Sequence, residues 1–298
     1  MVRPDRDAAG AAPDAVVAGG FGRTERGAAP GVRARAGVGD ANGQQEGPAA
    51  RTARVQHRLS DRGSADPLPH GAEKVFAEKG VDVRLRAKAA RVEVDGGRVR
   101  GVTMADGELI PADAVIVAVP AWDVGGLLEH VPGTEKIAAA TQKLVPIPIM
   151  SVNLYLDRPI GTTHPWETLL ESDVHWVFDR TVMHGKRSSA GHLYALTTCA
   201  SYDLIELRAP EVIERCMASL RSIYPLAEDA RVVHAHVVPW RKATFSSRPG
   251  TGTIRPDQRT AVEGLALAGD WTRNDWPTTM EGAAQSAARA VDALRTIS

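Results

Sequence analysis

The order of apolar and polar residues divides the later part of the chain into short strands and a few helices. Residues 71–80 are rich in helix formers and end on Gly80, which suits a C-terminal cap, so they predict a short helix. Alternating residues between glycine-containing turns then predict strands near 81–86, 90–94, 98–103 and 108–110. The run AVIVAV, residues 114–119, is apolar on both faces, which is typical of a central parallel strand covered on both sides.

A second block of alternating residues predicts an antiparallel sheet. Its strands are expected at residues 149–156, 174–180, 192–200 and 230–240. Proline at both ends and apolar residues at helical spacing predict a helix over residues 210–225. The chain closes with a strand at 264–270, a loop that contains two tryptophans, and a helix of small residues that begins near Thr279.

The first 60 residues differ in composition from the rest of the chain. They are rich in alanine, glycine and arginine, and Lys74 is the first lysine of the sequence. Only residues 14–22, DAVVAGGFG, resemble a strand followed by a glycine turn. The remainder has neither helical nor strand periodicity, so we predict a degenerate, disordered segment over residues 1–65.

Composition and charge narrow the class of protein without defining a function. With 298 residues, of which 43% are hydrophobic, the chain can build one large or two ordinary domains. Its 36 basic and 36 acidic residues cancel, so no nucleic-acid surface is expected. The sequence shows no apolar run of about eighteen residues and no signal peptide, and Cys199 and Cys216 are too few for a disulfide framework. We therefore expect a cytoplasmic protein whose membrane contact, if any, is peripheral at the inner face of the membrane.

The closing strand, loop and helix carry the residues best suited to bind a ligand. Asp270 follows a strand at the carboxyl edge of a sheet, where open α/β folds bind their ligands. The helix after it would offer unpaired N–H groups and the positive end of its dipole, and Gly282 would allow close approach. The residues alone leave a second interpretation open, in which Asp270 is a helix cap and Trp271 and Trp276 pack in an ordinary loop.

Other polar residues give weaker candidates. His234 and His236 share one face of a strand, but no third ligand is apparent, so no metal site is predicted. Asp157, Asp179 and Arg180 could hold a polar group of a substrate, although salt bridges at strand ends explain them more simply. No serine stands in a Gly-x-Ser-x-Gly setting, so nothing favours a hydrolase.

Several stretches resemble a known superfamily, and the resemblance extends over residues 66–296. Residues 265–290, LALAGDWTRNDWPTTMEGAAQSAARA, are similar to the C-terminal flavin motif of the FAD-dependent amine oxidases and phytoene desaturases. Residues 76–120 are similar to the segment that precedes the substrate domain of these proteins. Residues 146–160, 174–180, 240–250 and 255–260 resemble the branch that acts on long isoprenoids, the hydroxysqualene dehydroxylases and phytoene desaturases.

The resemblance implies an α/β fold made of two interwoven parts. Residues 66–121 and 258–298 would form a truncated FAD/NAD(P)-binding, Rossmann-like domain. Residues 122–257 would form an α+β substrate domain.

The resemblance also implies which residues meet FAD. Gly269 and Asp270 would contact the ribityl and pyrophosphate region, with Asp270 accepting hydrogen bonds. Backbone beside the isoalloxazine ring would come from Met280, Glu281, Gly282 and Ala283. Ala89 would meet the adenine through its backbone, and Trp271 and Trp276 would line the flavin or substrate cavity.

The chain departs from the superfamily pattern near its start. The pattern requires Gly-x-Gly-x-x-Gly between a strand and a helix, then a strand that ends in an acid. Gly20 and Gly22 supply part of this turn, but residues 23–31 do not predict a packing helix. If the codons implied by the sequence are read one base further on after Phe21, they can encode the missing glycine motif and the strand that ends in an acid. A frameshift or a wrongly assigned gene start is therefore one hypothesis. Sequencing the DNA upstream of codon 60 would test it.

The function implied by the resemblance is that of an FAD-dependent oxidoreductase of the flavin-containing amine oxidase and desaturase type. Its substrate would be a long, apolar isoprenoid such as hydroxysqualene or phytoene. No catalytic acid or base can be named from the sequence. Because the dinucleotide-binding turn is not intact, the sequence does not decide whether this chain is an active enzyme. One alternative is a non-catalytic remnant or partner subunit that binds no flavin. An amine oxidase is a second alternative.

Overall fold

The computed structural model describes residues 2–4, 15–18, 69–185, 189 and 191–295. In chain order the strands are β1 (Val2–Pro4), β2 (Ala15–Ala18), β3 (Val81–Val83), β4 (Ala89–Asp95), β5 (Arg98–Met104), β6 (Leu109–Pro111), β7 (Ala114–Val117), β8 (Pro146–Leu156), β9 (Trp166–Thr168), β10 (Trp176–Asp179), β11 (His192–Cys199), β12 (Val232–Phe245) and β13 (Leu265–Leu267). The helices are α1 (Pro69–Glu78), α2 (Ala121–Leu128), α3 (Glu135–Gln142), α4 (Arg180–His184), α5 (Ala209–Ile223), α6 (Thr251–Ile254) and α7 (Met280–Arg295).

The first antiparallel sheet has the order β4–β5–β6 and confirms the predicted strands and turns of this region. Gly96 and Gly97 in the first turn and Gly107 in the second all have positive φ. Glycine suits these positions because it reaches positive φ without the steric cost of a Cβ atom. Helix α1 precedes the sheet as predicted, whereas β3 ends at Val83, three residues earlier than the pattern suggested.

Strand β7 lies in the middle of a three-stranded parallel sheet of order β13–β7–β2, as its sequence predicts. Val115 and Val117 pack into a large core that includes residues of α2 and of the β4–β5–β6 sheet. Ile116 points the other way and packs with Ala266 and with Ala290 of α7. The strand is therefore covered on both faces, which explains why its sequence contains no polar residue.

The second antiparallel sheet has five strands in the order β12–β8–β11–β10–β9 and confirms the predicted sheet. One face is buried against α5, where Met150, Val152 and Leu154 join Val212 and Leu220 in a second core. The alternate residues of β8 and β11 are half-buried on the opposite face. Strand β12 runs five residues past its predicted end, and β9 was not predicted because three residues are too few to show a period.

Two strands fall inside the segment predicted to be disordered, residues 1–65. Strand β2 confirms the strand predicted from DAVVAGG, because it pairs in parallel with β7. Strand β1 pairs antiparallel with β3, so the prediction of disorder is wrong for those three residues. The glycine turn at 20–22 and the other residues of the predicted disordered segment lie outside the described residues.

Helices α2 and α3 were not predicted from the sequence. Gly125 and Gly126 lower the helix propensity of α2, and α3 has a weak apolar face. Packing decides the conformation of α2, because it buries Ala121, Val124, Leu127 and Leu128. A cleft of about 560 Å³ lies between the two helices, and none of the predicted site residues lines it.

Two aspartates that were weighed as substrate-binding residues serve the fold. Asp179 is 2% exposed, and its carboxylate caps α4 by accepting the Val182 N–H at 2.9 Å while contacting His192 Nε2 at 2.8 Å. Asp157 accepts the backbone N–H of Arg231 at 3.0 Å and pairs with the arginine next to it. The simpler interpretation, in which these acids hold strand ends, is confirmed for both.

The two cysteines should differ in reactivity. Burial in the second core raises the pKa of Cys216 to about 12, so at pH 8 only about one thiol in ten thousand would be ionised. In a Cys199→Ser variant, we expect Ellman's reagent at pH 8 to leave Cys216 unreacted in the native protein and to label it rapidly in guanidinium chloride. Rapid labelling of the native variant would show that α5 does not bury this residue.

Candidate functional site

The carboxyl ends of two parallel strands meet at one edge of the β13–β7–β2 sheet. Strands β7 and β13 end at Val117 and Leu267, and the Ala268 N–H donates to the Val117 carbonyl at 2.9 Å. Gly269 and Asp270 follow directly. This is the edge at which open α/β sheets bind ligands, because the chain turns away there and leaves a crevice.

Gly269 sits where no side chain fits. Its φ is +141°, and an added Cβ would lie 2.7 Å from Trp271 Cδ1 and closer still to Nε1 of the same ring. Its N–H donates to Ser286 Oγ at 2.7 Å, and that hydroxyl donates to the Ala283 carbonyl at 2.6 Å. Ser286 is fully buried on α7. Small residues on α7 therefore let the helix approach the strand end closely enough to bond it.

Trp271 closes the site from the core side. Its ring is 2% exposed and belongs to the larger core, and Nε1 donates to the Val119 carbonyl at 2.9 Å. Among the described residues this ring fills the core and holds the end of β7 against the loop, and its place in the wall of a cavity stays a prediction. Trp276 is 40% exposed, and its place in a cavity stays a prediction.

The carboxylate of Asp270 is half-buried and held from one side. Its Oδ2 accepts a hydrogen bond from Thr278 Oγ1 at 2.5 Å, and Thr278 in turn contacts the hydroxyl of Thr244 on β12. The other oxygen, Oδ1, has no hydrogen-bond partner among the described residues. Asp270 is thus oriented by the protein and keeps an acceptor for a ligand.

Arg255 holds the loop that carries Asp270. It is 5% exposed and donates to the carbonyls of Asn274 at 3.2 Å and Trp276 at 2.9 Å, and also to the carbonyl of Asp270. Its guanidinium lies over the Phe245 ring at 5.8 Å. Burial lowers the pKa of Arg255 from its ordinary value, and the attraction of Asp270 opposes that change.

Gln258 completes this support. Its side-chain Nε2 donates to Thr272 Oγ1 at 3.0 Å and to the Arg273 carbonyl at 2.8 Å. Its backbone carbonyl accepts the N–H of Leu267 at 2.8 Å. The sequence reasoning missed Arg255 and Gln258. The signal available in the sequence was that both residues belong to the segment RPDQRT, one of the stretches that resemble the isoprenoid branch.

The N-terminus of α7 is open beside this loop. Thr279 caps the helix, accepting the Gly282 N–H at its hydroxyl at 3.2 Å and the Ala283 N–H at its carbonyl at 3.1 Å. The N–H groups of Met280 and Glu281 have no acceptor among the described residues. An added Cβ at Gly282 would lie 3.2 Å from the Pro277 carbonyl. Two free donors with the positive end of the dipole suit an electron-rich ligand.

Ala89 stands apart from the other predicted residues. It is half-buried on β4, where it pairs with Met104 and packs against the larger core. No hydrogen bond or strand pairing of the described residues joins it to the loop at 269–279. The structure thus brings together the predicted residues from Gly269 to Ala283, and the contact of Ala89 with a ligand stays a prediction.

The described part of the chain shows neither a group of metal ligands nor a helix that could span a membrane. No three histidine, cysteine, aspartate or glutamate side chains are grouped there so as to hold a metal ion. Of the described helices, none combines the length and the apolar character that crossing a membrane requires.

The fold and this site define the class of protein. The chain belongs to the family of flavin-containing amine oxidoreductases, whose family model matches residues 20–295. This match confirms the superfamily that the C-terminal motif indicated.

Comparisons with individual proteins agree with this family. The chain is 28% identical over 229 residues to a 15-cis-phytoene desaturase of Solanum lycopersicum, covering 72% of this chain and 38% of the relative. It is 26% identical over 232 residues to a hydroxysqualene dehydroxylase of Sinorhizobium fredii, covering 76% of this chain and 49% of the relative. The chain thus spans half or less of the length of these curated relatives.

Solved structures confirm the predicted fold class. An oxidoreductase from Methanosarcina mazei superposes with a TM-score of 0.57 at 17% identity, covering 74% of this chain and 52% of that one. A putrescine oxidase bound to putrescine superposes with a TM-score of 0.56 at 18% identity, covering 76% and 51%. At such identities the likeness concerns the fold.

Proposed function

We propose that the chain is a flavoprotein oxidoreductase, or part of one, that binds FAD at the carboxyl edge of the parallel sheet. The observation that carries the proposal is the juxtaposition of the Gly269–Asp270 turn with the open N-terminus of α7. In this proposal residues 66–121 and 258–298 form the FAD-binding part, and residues 122–257 form the substrate-binding part. The second core supports such a division, because it lies wholly within residues 122–257, while the first core also takes up Val124, Leu128 and Phe245 from that part.

The residues present fit the flavin end of the cofactor. Glycine at 269 lets the turn pack against the Trp271 ring, and Gly282 lets α7 approach the loop at Pro277. Asp270 keeps a free carboxylate oxygen, and Met280 and Glu281 keep free N–H groups. Asp270 would accept hydrogen bonds from the hydroxyls of the ribityl chain. The two amides would donate to acceptor atoms of the isoalloxazine ring. The residues that would bind the pyrophosphate at the end of β2 lie outside the described part of the chain.

The protein contributes orientation and a dry wall to the reaction. Bound FAD supplies the redox chemistry, because its ring can take up a hydride from a substrate carbon. Trp271 and the strand ends behind it keep water from one side of the site. Arg255 and Gln258 hold the loop so that Asp270 does not have to be ordered when the cofactor binds.

We further propose a long, apolar isoprenoid as the substrate. The names of the two curated relatives, a phytoene desaturase and a hydroxysqualene dehydroxylase, support this class. The half-buried face of the five-stranded sheet also supports it, because Ile149, Trp176, Phe178 and Leu193 give it apolar surface beside the polar Ser151, Asn153 and Thr197. An amine as substrate would need a polar group to hold its nitrogen, and amine turnover would separate the two proposals.

One observation favours a different role, in which the chain binds a partner and no flavin. Met280 and Val291 on α7 are 55% and 39% exposed, so part of this helix presents apolar surface. The absorbance experiment below separates this role from that of a flavoprotein.

The cofactor proposal predicts a visible flavin spectrum. After the purified 298-residue chain is mixed with FAD and freed of unbound cofactor, we expect absorbance bands of bound flavin. Asp270→Ala should weaken FAD binding at least tenfold, because it removes a charged acceptor for hydrogen bonds. Asp275→Ala is the matched control, since Asp275 lies in the same loop with a 96% exposed side chain and should bind FAD as the wild type does. A colourless wild type, or equal loss in both variants, would contradict the proposal.

A further inference from the structure

Three aromatic side chains form a row across the half-buried face of the five-stranded sheet. The rings of Trp166 and Trp176 lie 5.8 Å apart, and those of Trp176 and Phe178 lie 6.1 Å apart and nearly parallel. Trp166 is paired across the strands with Phe178. We call Trp166, Trp176 and Phe178 the aromatic row. It offers a flat apolar surface of the kind that an unsaturated hydrocarbon chain can cover.

Arg180 begins α4 directly after β10, two residues beyond Phe178 in the chain. Val177, Asp179 and Thr181 are buried, whereas residues 176, 178 and 180 are half-buried. Asp179 and Thr181 reach the buried side, where the carboxylate contacts the His192 ring and the hydroxyl accepts the Leu193 N–H at 2.8 Å. Arg180 therefore follows the end of the aromatic row at Phe178, and its side chain is half-buried there.

Arg180 is a partly desolvated cation that lacks the usual carboxylate. Its Nε donates to His184 Nε2 at 3.1 Å, and no acid within the described residues pairs with it. Its neighbour Asp179 already has three other partners, the Thr162 hydroxyl, the Val182 N–H and the His192 ring. Burial lowers the pKa of Arg180 from its ordinary value.

Two arginines close to this sheet in the chain, one after β8 and one on α5, show the contrast. Arg158 pairs with Asp157, and Arg215 makes a two-point contact with Asp173 at 2.8 Å. Partial burial of a charge without such a partner costs free energy, and polar groups held in this way are frequent at binding sites. The two terminal nitrogens of Arg180 have no acceptor among the described residues, so they can donate to a ligand.

We propose that Arg180 is a specificity-determining residue that donates a hydrogen bond to an oxygen of the substrate while the apolar chain of the substrate lies on the aromatic row. This inference rests on the proposed function and deepens it. An oxygen-bearing isoprenoid is then the preferred substrate class over a pure hydrocarbon, because only the former satisfies the guanidinium. His184 fixes the direction of the guanidinium through its bond to Nε.

The test compares two small isoprenoids that differ by one hydroxyl group, farnesol and farnesene. Binding to the full 298-residue chain is followed by quenching of tryptophan fluorescence, because two of the three rings of the aromatic row are tryptophans. We expect farnesol to bind about tenfold more tightly than farnesene, as one hydrogen bond from a charged donor implies. Arg180→Gln should remove this preference and leave the affinity for farnesene unchanged, and Arg180→Lys should keep part of it.

Arg158→Gln is the matched control, since this exposed arginine of the same sheet should not change the preference. Equal binding of both compounds by the wild type, or an unchanged preference in both Arg180 variants, overturns the role of Arg180 and leaves the isoprenoid proposal standing. Binding of neither compound overturns the isoprenoid proposal as well. The FAD spectrum described above is independent of either result, so failure of the cofactor proposal is seen separately.

Discussion

Replacing Gly269 by alanine is expected to lower the free energy of unfolding by about 3 kcal/mol and to abolish FAD binding. The new Cβ would lie 2.7 Å from Trp271 Cδ1, and the ring cannot retreat because it is buried and its Nε1 is bonded to the Val119 carbonyl. The backbone would have to move instead, since φ of +141° is strained for any residue with a side chain. That movement would break the bond from Gly269 to Ser286 and shift Asp270.

Urea unfolding followed by circular dichroism measures the first effect, and visible absorbance after addition of FAD measures the second. Gly126→Ala is the matched control, because Gly126 is exposed on α2 and an added Cβ meets no atom within 4 Å. That variant should be as stable as the wild type or gain up to about 1 kcal/mol from the higher helix propensity of alanine. Wild-type stability of Gly269→Ala would show that the turn and the tryptophan ring are not packed as described.

Replacing Arg255 by alanine is expected to cost about 3 kcal/mol of stability and to weaken FAD binding strongly. The guanidinium bonds three carbonyls of one loop, those of Asp270, Asn274 and Trp276, and no other described side chain can replace all three bonds. Removal of a buried cation also relieves its desolvation, so the net loss is smaller than the sum of three charged hydrogen bonds. Because the loop then has to be ordered by the ligand, the affinity for FAD falls together with stability.

The same unfolding and absorbance measurements apply to this variant. Arg259→Ala is the control, since Arg259 lies four residues further on with an exposed side chain and should change stability by less than about 0.5 kcal/mol. Arg255→Lys keeps the charge but cannot reach three carbonyls with one nitrogen, so it should fall between alanine and the wild type. If Arg255→Ala were as stable as the wild type and bound FAD normally, the loop would not depend on this residue for its shape.

Much of the architecture could be predicted because its causes are local in the chain. The run AVIVAV predicted a strand buried on both faces, and β7 is such a strand. The glycines at 96, 97 and 107 predicted turns, since few other residues reach positive φ. The small residues of α7 predicted close approach, which the bond between Gly269 and Ser286 shows.

The support of the site could not be predicted, because it depends on residues that meet only after folding. Arg255 and Gln258 lie in a segment without period, and their role follows from the loop carbonyls they bond, fifteen to twenty-one residues later in the chain. The ring of Trp271 joins the core and bonds the carbonyl of Val119, which is 152 residues away in sequence. No local pattern records such a partner.

The sequence by itself determined the longer strands, the helices α1, α5 and α7, the sheet types and the family, since apolar periodicity, turn glycines and the C-terminal motif are properties of short segments. Tertiary structure alone decided which polar residues serve the fold and which remain free. It buried Asp179 against His192, left Arg180 without a carboxylate among the described residues, and placed Arg255 behind the loop of Asp270. The physical reason is that burial and hydrogen-bond partners belong to pairs of distant segments, so they are set only when the sheets and helices pack together.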